Sequence, residues 1–103
     1  MTNFMKMVKQ AQQMQARMAK MEEELGQEEF EATSGGGAVT VRMNGRQEVV
    51  KLTIREDAIK EGDREMLEDM IMTAVNQAHQ QASEAAKERI AAITGGMNIP
   101  GLF

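Results

Sequence analysis

Four basic residues, Lys6, Lys9, Arg17 and Lys20, occupy the first 21 positions of a 103-residue chain, with no Asp or Glu among them. On a helix turning about 100° per residue they fall within an arc of roughly 80°, together with Gln10 and Gln13. Lysine and arginine aligned on one helix edge can meet successive phosphates, and glutamine can donate to phosphate or base-edge acceptors. The chemistry open to this stripe is charge pairing with a polyanion. Lys87 and Arg89, late in the chain, are secondary candidates. The plainer alternative is a solvated face, because ordinary helices often carry such stripes.

Other chemistry finds little to work with. There is one histidine, His79, and no cysteine, so metal sites and nucleophilic triads lack their parts. His79 reads as a polar surface or interface residue. Gly35, Gly36 and Gly37 precede a strand and lack the Gly-Lys-Ser/Thr of a phosphate loop, so they read as a turn. The run Glu22-Glu23-Glu24 reads as a solvated helix end. We therefore expect no enzyme, no cofactor and no small-molecule substrate.

The elements that must position the stripe follow from apolar spacing. Phe4, Met7, Ala11, Met14, Met18, Met21 and Leu25 recur at alternating intervals of three and four, a heptad seam. Its centre lies roughly 120° from the basic stripe. The seam predicts a helix over about 2–25, stopped at Gly26 and roughly 36 Å long at 1.5 Å per residue. Packing is the default use of this seam; a peptide groove or a membrane-surface helix are the alternatives.

From Glu28 the period becomes two, predicting strands at about 28–34, 38–44 and 46–55. Asn44-Gly45 predicts a two-residue type I′ hairpin that pairs Met43 with Arg46. Val39, Val41, Met43, Val50, Leu52 and Ile54 would then share a core face, and Thr40, Arg42, Val49, Lys51, Thr53 and Arg55 the opposite one. After a turn around "EDAIKEGD", Asp63 reads as the N-cap of a helix over about 64–94 with an apolar stripe through Leu67, Ile71, Ala74, Ala78 and Ala82. Residues 1–94 would form a single α+β domain, and 95–103 a Gly- and Pro-containing tail, disordered or docked on an apolar groove.

Charge is segregated. The total is -4, yet residues 1–21 carry four basic groups and no acid, while residues 22–31 carry six glutamates and no base. No apolar run approaches the roughly 18 residues of a membrane span, so no membrane partner is expected. We therefore expect a soluble, intracellular protein, and the lack of cysteine fits a reducing compartment.

The chain resembles the YbaB/EbfC family of bacterial nucleoid-associated proteins. The likeness rests on "MVKQAQQMQ", "GGGAVTVRMNGRQEVVKLTI", "DREMLEDMIMTAVNQAHQQA" and the closing "GGMNIPGLF". It implies an α-β-β-β-α protomer whose three-stranded antiparallel meander carries two long helices. It further implies a homodimer through the sheet region with helices projecting like the arms of tweezers, and duplex DNA as partner in the cytoplasm, on the nucleoid. The family supplies no compact fingerprint of contact residues, so the candidate DNA-binding set stays with the charge pattern: Lys6, Lys9, Gln13, Arg17, Lys20, Lys87 and Arg89. The runner-up function is a dimeric protein-interaction or chaperone-like module that grips a partner with its Met-lined arms.

Overall fold

A computed structural model describes residues 2–95. Among them the order is helix α1 (Thr2–Gln27), strand β1 (Glu29–Ser34), a 3-10 turn at Gly35–Gly37, strands β2 (Val39–Asn44) and β3 (Val49–Ile54), a short helix α2 (Glu56–Lys60) and the long helix α3 (Arg64–Thr94). This is the α+β meander between two long helices that the periodicity predicts, with α2 added where a plain turn was expected. Beyond Gly95, the tail expected over 95–103 lies outside the described residues.

The three strands form one antiparallel sheet in the order β1-β2-β3. Helix α3 crosses β1 and β2 on one side of it. Small side chains allow a close approach: Ala74, Ala78 and Ala82 are fully buried against Ala32, Val39, Val41 and Met43. The Ser34 hydroxyl donates to the Met70 carbonyl at 2.5 Å and pins the open end of β1 to the helix. Helix α3 is punctuated at both ends. The Asp63 carboxylate accepts from the Met66 N–H at 3.0 Å, and Gly95 adopts a left-handed φ of 64° that returns its N–H to the Ala91 carbonyl.

Two expectations need correction. Gly45 and Asn44 do not make a two-residue hairpin. The observed pairs are Val39 with Ile54, Val41 with Leu52, Arg42 with Lys51 and Met43 with Val49, and a bulge leaves Val50 unpaired. The third strand therefore starts at Val49 rather than near Arg46. The reason is competition for the turn's hydrogen bonds. Asn44 Oδ1 accepts from the N–H groups of Arg46 and Glu48 at 2.9 and 3.1 Å, which builds a wider side-chain turn. The Gly45 N–H is drawn away to the carbonyls of Leu25 and Glu28. Positive φ falls on Gln47, at 66°, instead of on the Asn-Gly pair. Away from the bulge the register moves by four residues, an even number, so the remaining apolar side chains keep their face.

The second correction concerns burial. The face assigned to the core is covered only over β1 and β2. Val50 and Leu52 remain 48% and 46% exposed, because α3 packs over β1 and β2; Val49, expected on the polar face, is brought opposite Met43 by the bulge and is 48% exposed. Alternation tells which face a side chain occupies, but not whether anything covers it.

Helix α1 continues two residues past Leu25, through Gly26 to Gln27. Its seam is graded. Leu25 and Met21 are 5% and 7% exposed, Met18 and Met14 are half-buried, and Met7 and Phe4 stand 65% and 68% exposed. The base of α1 packs on the body and on the end of α3, while the tip leaves the body behind. The molecule is accordingly long, 71 × 23 × 15 Å with a radius of gyration of 19.5 Å, against about 13 Å for a compact chain of this length.

Candidate nucleic-acid interface

The stripe is built on the projecting part of α1. An uninterrupted 26-residue helix with no Pro and no β-branched run carries Lys6, Lys9, Gln13, Arg17 and Lys20, all exposed. From Lys6 to Lys20 the stripe extends about 21 Å along the axis. The seam side of the same helix turns toward α3 near the base, so packing and charge occupy separate faces.

These four cations share one helix face and stand apart from the carboxylates of the body. Five basic side chains elsewhere are engaged with carboxylates: Arg42 with Glu29 and Glu31, Arg55 with Asp57, Lys60 with Glu56, Arg64 with Glu68, and Arg89 with Glu28. Among the described residues, no carboxylate lies within 4.0 Å of Lys6, Lys9, Arg17 or Lys20. The guanidinium of Arg55 donates to both oxygens of Asp57 at 3.1 and 3.3 Å and holds that exposed carboxyl below its usual range. Such neutralised pairs have little attraction left for a polyanion, whereas the α1 stripe keeps its full charge.

The late candidates divide. Lys87 is exposed near the C-terminal end of α3 and has no such carboxylate partner among the described residues. Arg89 is partly buried and bonded to Glu28 at the base of α1. It is not displayed as the stripe is. Two further cations, Arg46 and Lys51, also lack a carboxylate within 4.0 Å among the described residues. Arg46 lies over Gly26 beside Glu22 and Leu25; Lys51 faces the side of the sheet opposite α3, beside Arg42. No local signal in the sequence marks them, because their surroundings come from elements distant along the chain.

The acidic segment begins where the arm meets the body. Glu22, Glu23 and Glu24 are exposed on the last turns of α1. Among the described residues no cluster of His, Cys, Asp or Glu is arranged to hold a metal ion, and no helix is long and apolar enough to cross a membrane.

Comparison with known proteins places the chain in a family. The sequence profile described as the YbaB/EbfC DNA-binding family matches residues 1–97. A nucleoid-associated protein of Thermoanaerobacter pseudethanolicus is 52% identical over 101 residues, covering 98% of this chain and 91% of its own. One from Caldanaerobacter subterraneus subsp. tengcongensis is 50% identical with the same coverage. Among solved structures, an uncharacterized protein from Helicobacter pylori superposes with a TM-score of 0.76 at 27% identity, over 82% of this chain and 89% of that one. The two bacterial relatives are named nucleoid-associated proteins, and the chain belongs to the YbaB/EbfC DNA-binding family.

Proposed function

We propose that the protein binds duplex DNA as a homodimer, chiefly by phosphate contacts from the basic face of α1, with little or no sequence preference, on the nucleoid in the cytoplasm. The observation that carries this reading is the set of unneutralised cations, Lys6, Lys9, Arg17 and Lys20, aligned with Gln13 on an arm that projects from the body. Lys87 adds charge from α3. Phosphate contacts fix position without reading bases, and lysine is a point charge with no bidentate geometry to select one base edge. Low specificity follows.

The dimer is supported by β3. It is an edge strand with open hydrogen-bonding groups, and Val49, Val50 and Leu52 expose apolar surface beside them. Uncovered edges of this kind invite pairing, and a second copy covers edge and face together. A two-fold dimer doubles each stripe from four charges to eight, which strengthens polyanion binding steeply.

The exposed Phe4, Met5, Met7 and Val8 at the tip of α1 favour the second reading, a module that grips a protein partner. A gel-shift panel of unrelated duplexes, run beside a solution mass measurement, tests the first. The expected result is a dimer that binds all duplexes within about threefold of one another. A monomer, or a protein that leaves every duplex unshifted at low salt, would exclude it.

A further inference from the structure

The base of α1 is tied to the body from two sides. From the hairpin, the Gly45 N–H donates to the carbonyls of Leu25 and Glu28 at 3.0 and 3.1 Å, and the Glu28 N–H donates to Leu25 at 3.1 Å. These bonds occupy carbonyls that a helix end otherwise leaves unsatisfied. The approach is close: a Cβ at position 45 would overlap the Leu25 carbonyl and side chain, so only glycine permits it. The side chain of Arg46 folds over Gly26 in the same way, with Nε 2.8 Å from where a Cβ would stand. From the other side, the Arg89 guanidinium on α3 donates to the Glu28 carboxylate, 61 residues away in sequence. Helix α3 is itself fixed to the sheet through Ala74, Ala78 and Ala82.

We propose that this cluster, Gly45 on the hairpin and the Glu28–Arg89 ion pair on α3, is a joint that sets the direction of the α1 arm and thereby the placement of its basic stripe. The proposal rests on the DNA-binding reading above. Arg89 is on this view a positioning residue rather than a phosphate contact. The lever is long. Glu28 to Lys6 is about 33 Å along the helix, so a 10° change at the base moves Lys6 by about 6 Å, the width of a minor groove. Beyond Met14 the α1 seam is exposed, and nothing among the described residues holds the arm there. Direction must then be fixed at the base. A partly exposed ion pair adds little to folding, so its loss should loosen the arm while leaving the body intact.

The charge arithmetic separates this role from direct contact. Glu28→Arg adds two units of positive charge per protomer. Were Arg89 a phosphate contact, binding would tighten; a broken joint weakens it instead. We expect Glu28→Arg and Arg89→Glu each to lower affinity for a duplex by about fivefold, through lower effective concentration of the second stripe. The exchanged pair Glu28→Arg with Arg89→Glu should return to within about twofold of the parent.

Arm direction is read independently by pulsed electron paramagnetic resonance. The chain has no cysteine, so Gln12→Cys and Gln80→Cys accept two spin labels cleanly. Dilution into unlabelled protein isolates the distance within one chain. One narrow distance is expected for the parent and for the exchanged pair, and broadened distances for each single variant, with unchanged thermal unfolding. Equal distance distributions in all four proteins, or tighter DNA binding by Glu28→Arg, would overturn the proposal. If the DNA-binding reading itself fails, no variant and no parent protein shifts a duplex, while the distance series still reports the joint.

Discussion

Reversal of Lys9 and Arg17 to glutamate in one chain is expected to reduce duplex affinity by roughly two orders of magnitude or more near physiological salt. In a dimer the two changes remove four of eight stripe cations and put four anions in their place. Each lost phosphate contact also removes about one unit from the slope of log affinity against log salt. Both residues are exposed and no carboxylate among the described residues pairs with them, so their loss breaks no internal contact. Unfolding midpoint and dimer mass should be unaltered. Fluorescence anisotropy with a labelled duplex checks the affinity, and retained affinity would remove the stripe from the mechanism.

Leu52→Asp is the second large effect. Leu52 stands opposite Val41 on the apolar side of the sheet, beyond the cover of α3, and is about half exposed in the protomer. An isolated protomer tolerates a charge there. A dimer that buries this surface does not, because an unpaired carboxylate moved out of water is strongly unfavourable. We expect about 3 kcal/mol of lost association energy, roughly a hundredfold in dimer dissociation constant. Sedimentation should show monomers at concentrations where the parent is dimeric, and duplex affinity should fall with the dimer. An unchanged mass would place the interface elsewhere.

The two predictions draw on different depths of legibility. The stripe and the seam could be read directly, because both are periodicities within one helix: Lys6, Lys9, Arg17 and Lys20 on one arc, Phe4 through Leu25 on another. The termini of α3 were legible for a similar reason, since Asp63 and Gly95 act within a turn of themselves. The hairpin was misread because the deciding bond is not local. Gly45 gives its N–H to Leu25, twenty residues earlier, and Asn44 then organises the wider turn.

The same limit applies to charge. Sequence alone puts Arg89 beside Lys87 as a candidate contact, whereas the fold brings Arg89 to Glu28 and leaves Lys87 without such a partner. It also leaves Arg46 and Lys51 without one, which no short-range pattern foretells. For Arg42 and Arg89 the partner comes from a distant segment, and among the described residues no such pairing reaches the arm.

The acidic composition is consistent with such a role once its distribution is considered. Six glutamates gather at residues 22–31, at the base of α1 and on β1, where they engage Arg42 and Arg89 or face solvent. On the proposed reading, like charge near the body would disfavour DNA there and confine attraction to the projecting α1 arm.

The salt dependence of duplex binding by the unaltered protein tests the central claim most directly. If eight stripe cations on paired arms meet phosphates, log affinity should fall against log salt with a slope approaching about -7, and the slope should be the same for unrelated duplexes. A slope near zero, with binding that survives high salt, would contradict the claim and point to the exposed Phe and Met residues at the tip of α1 as the gripping surface.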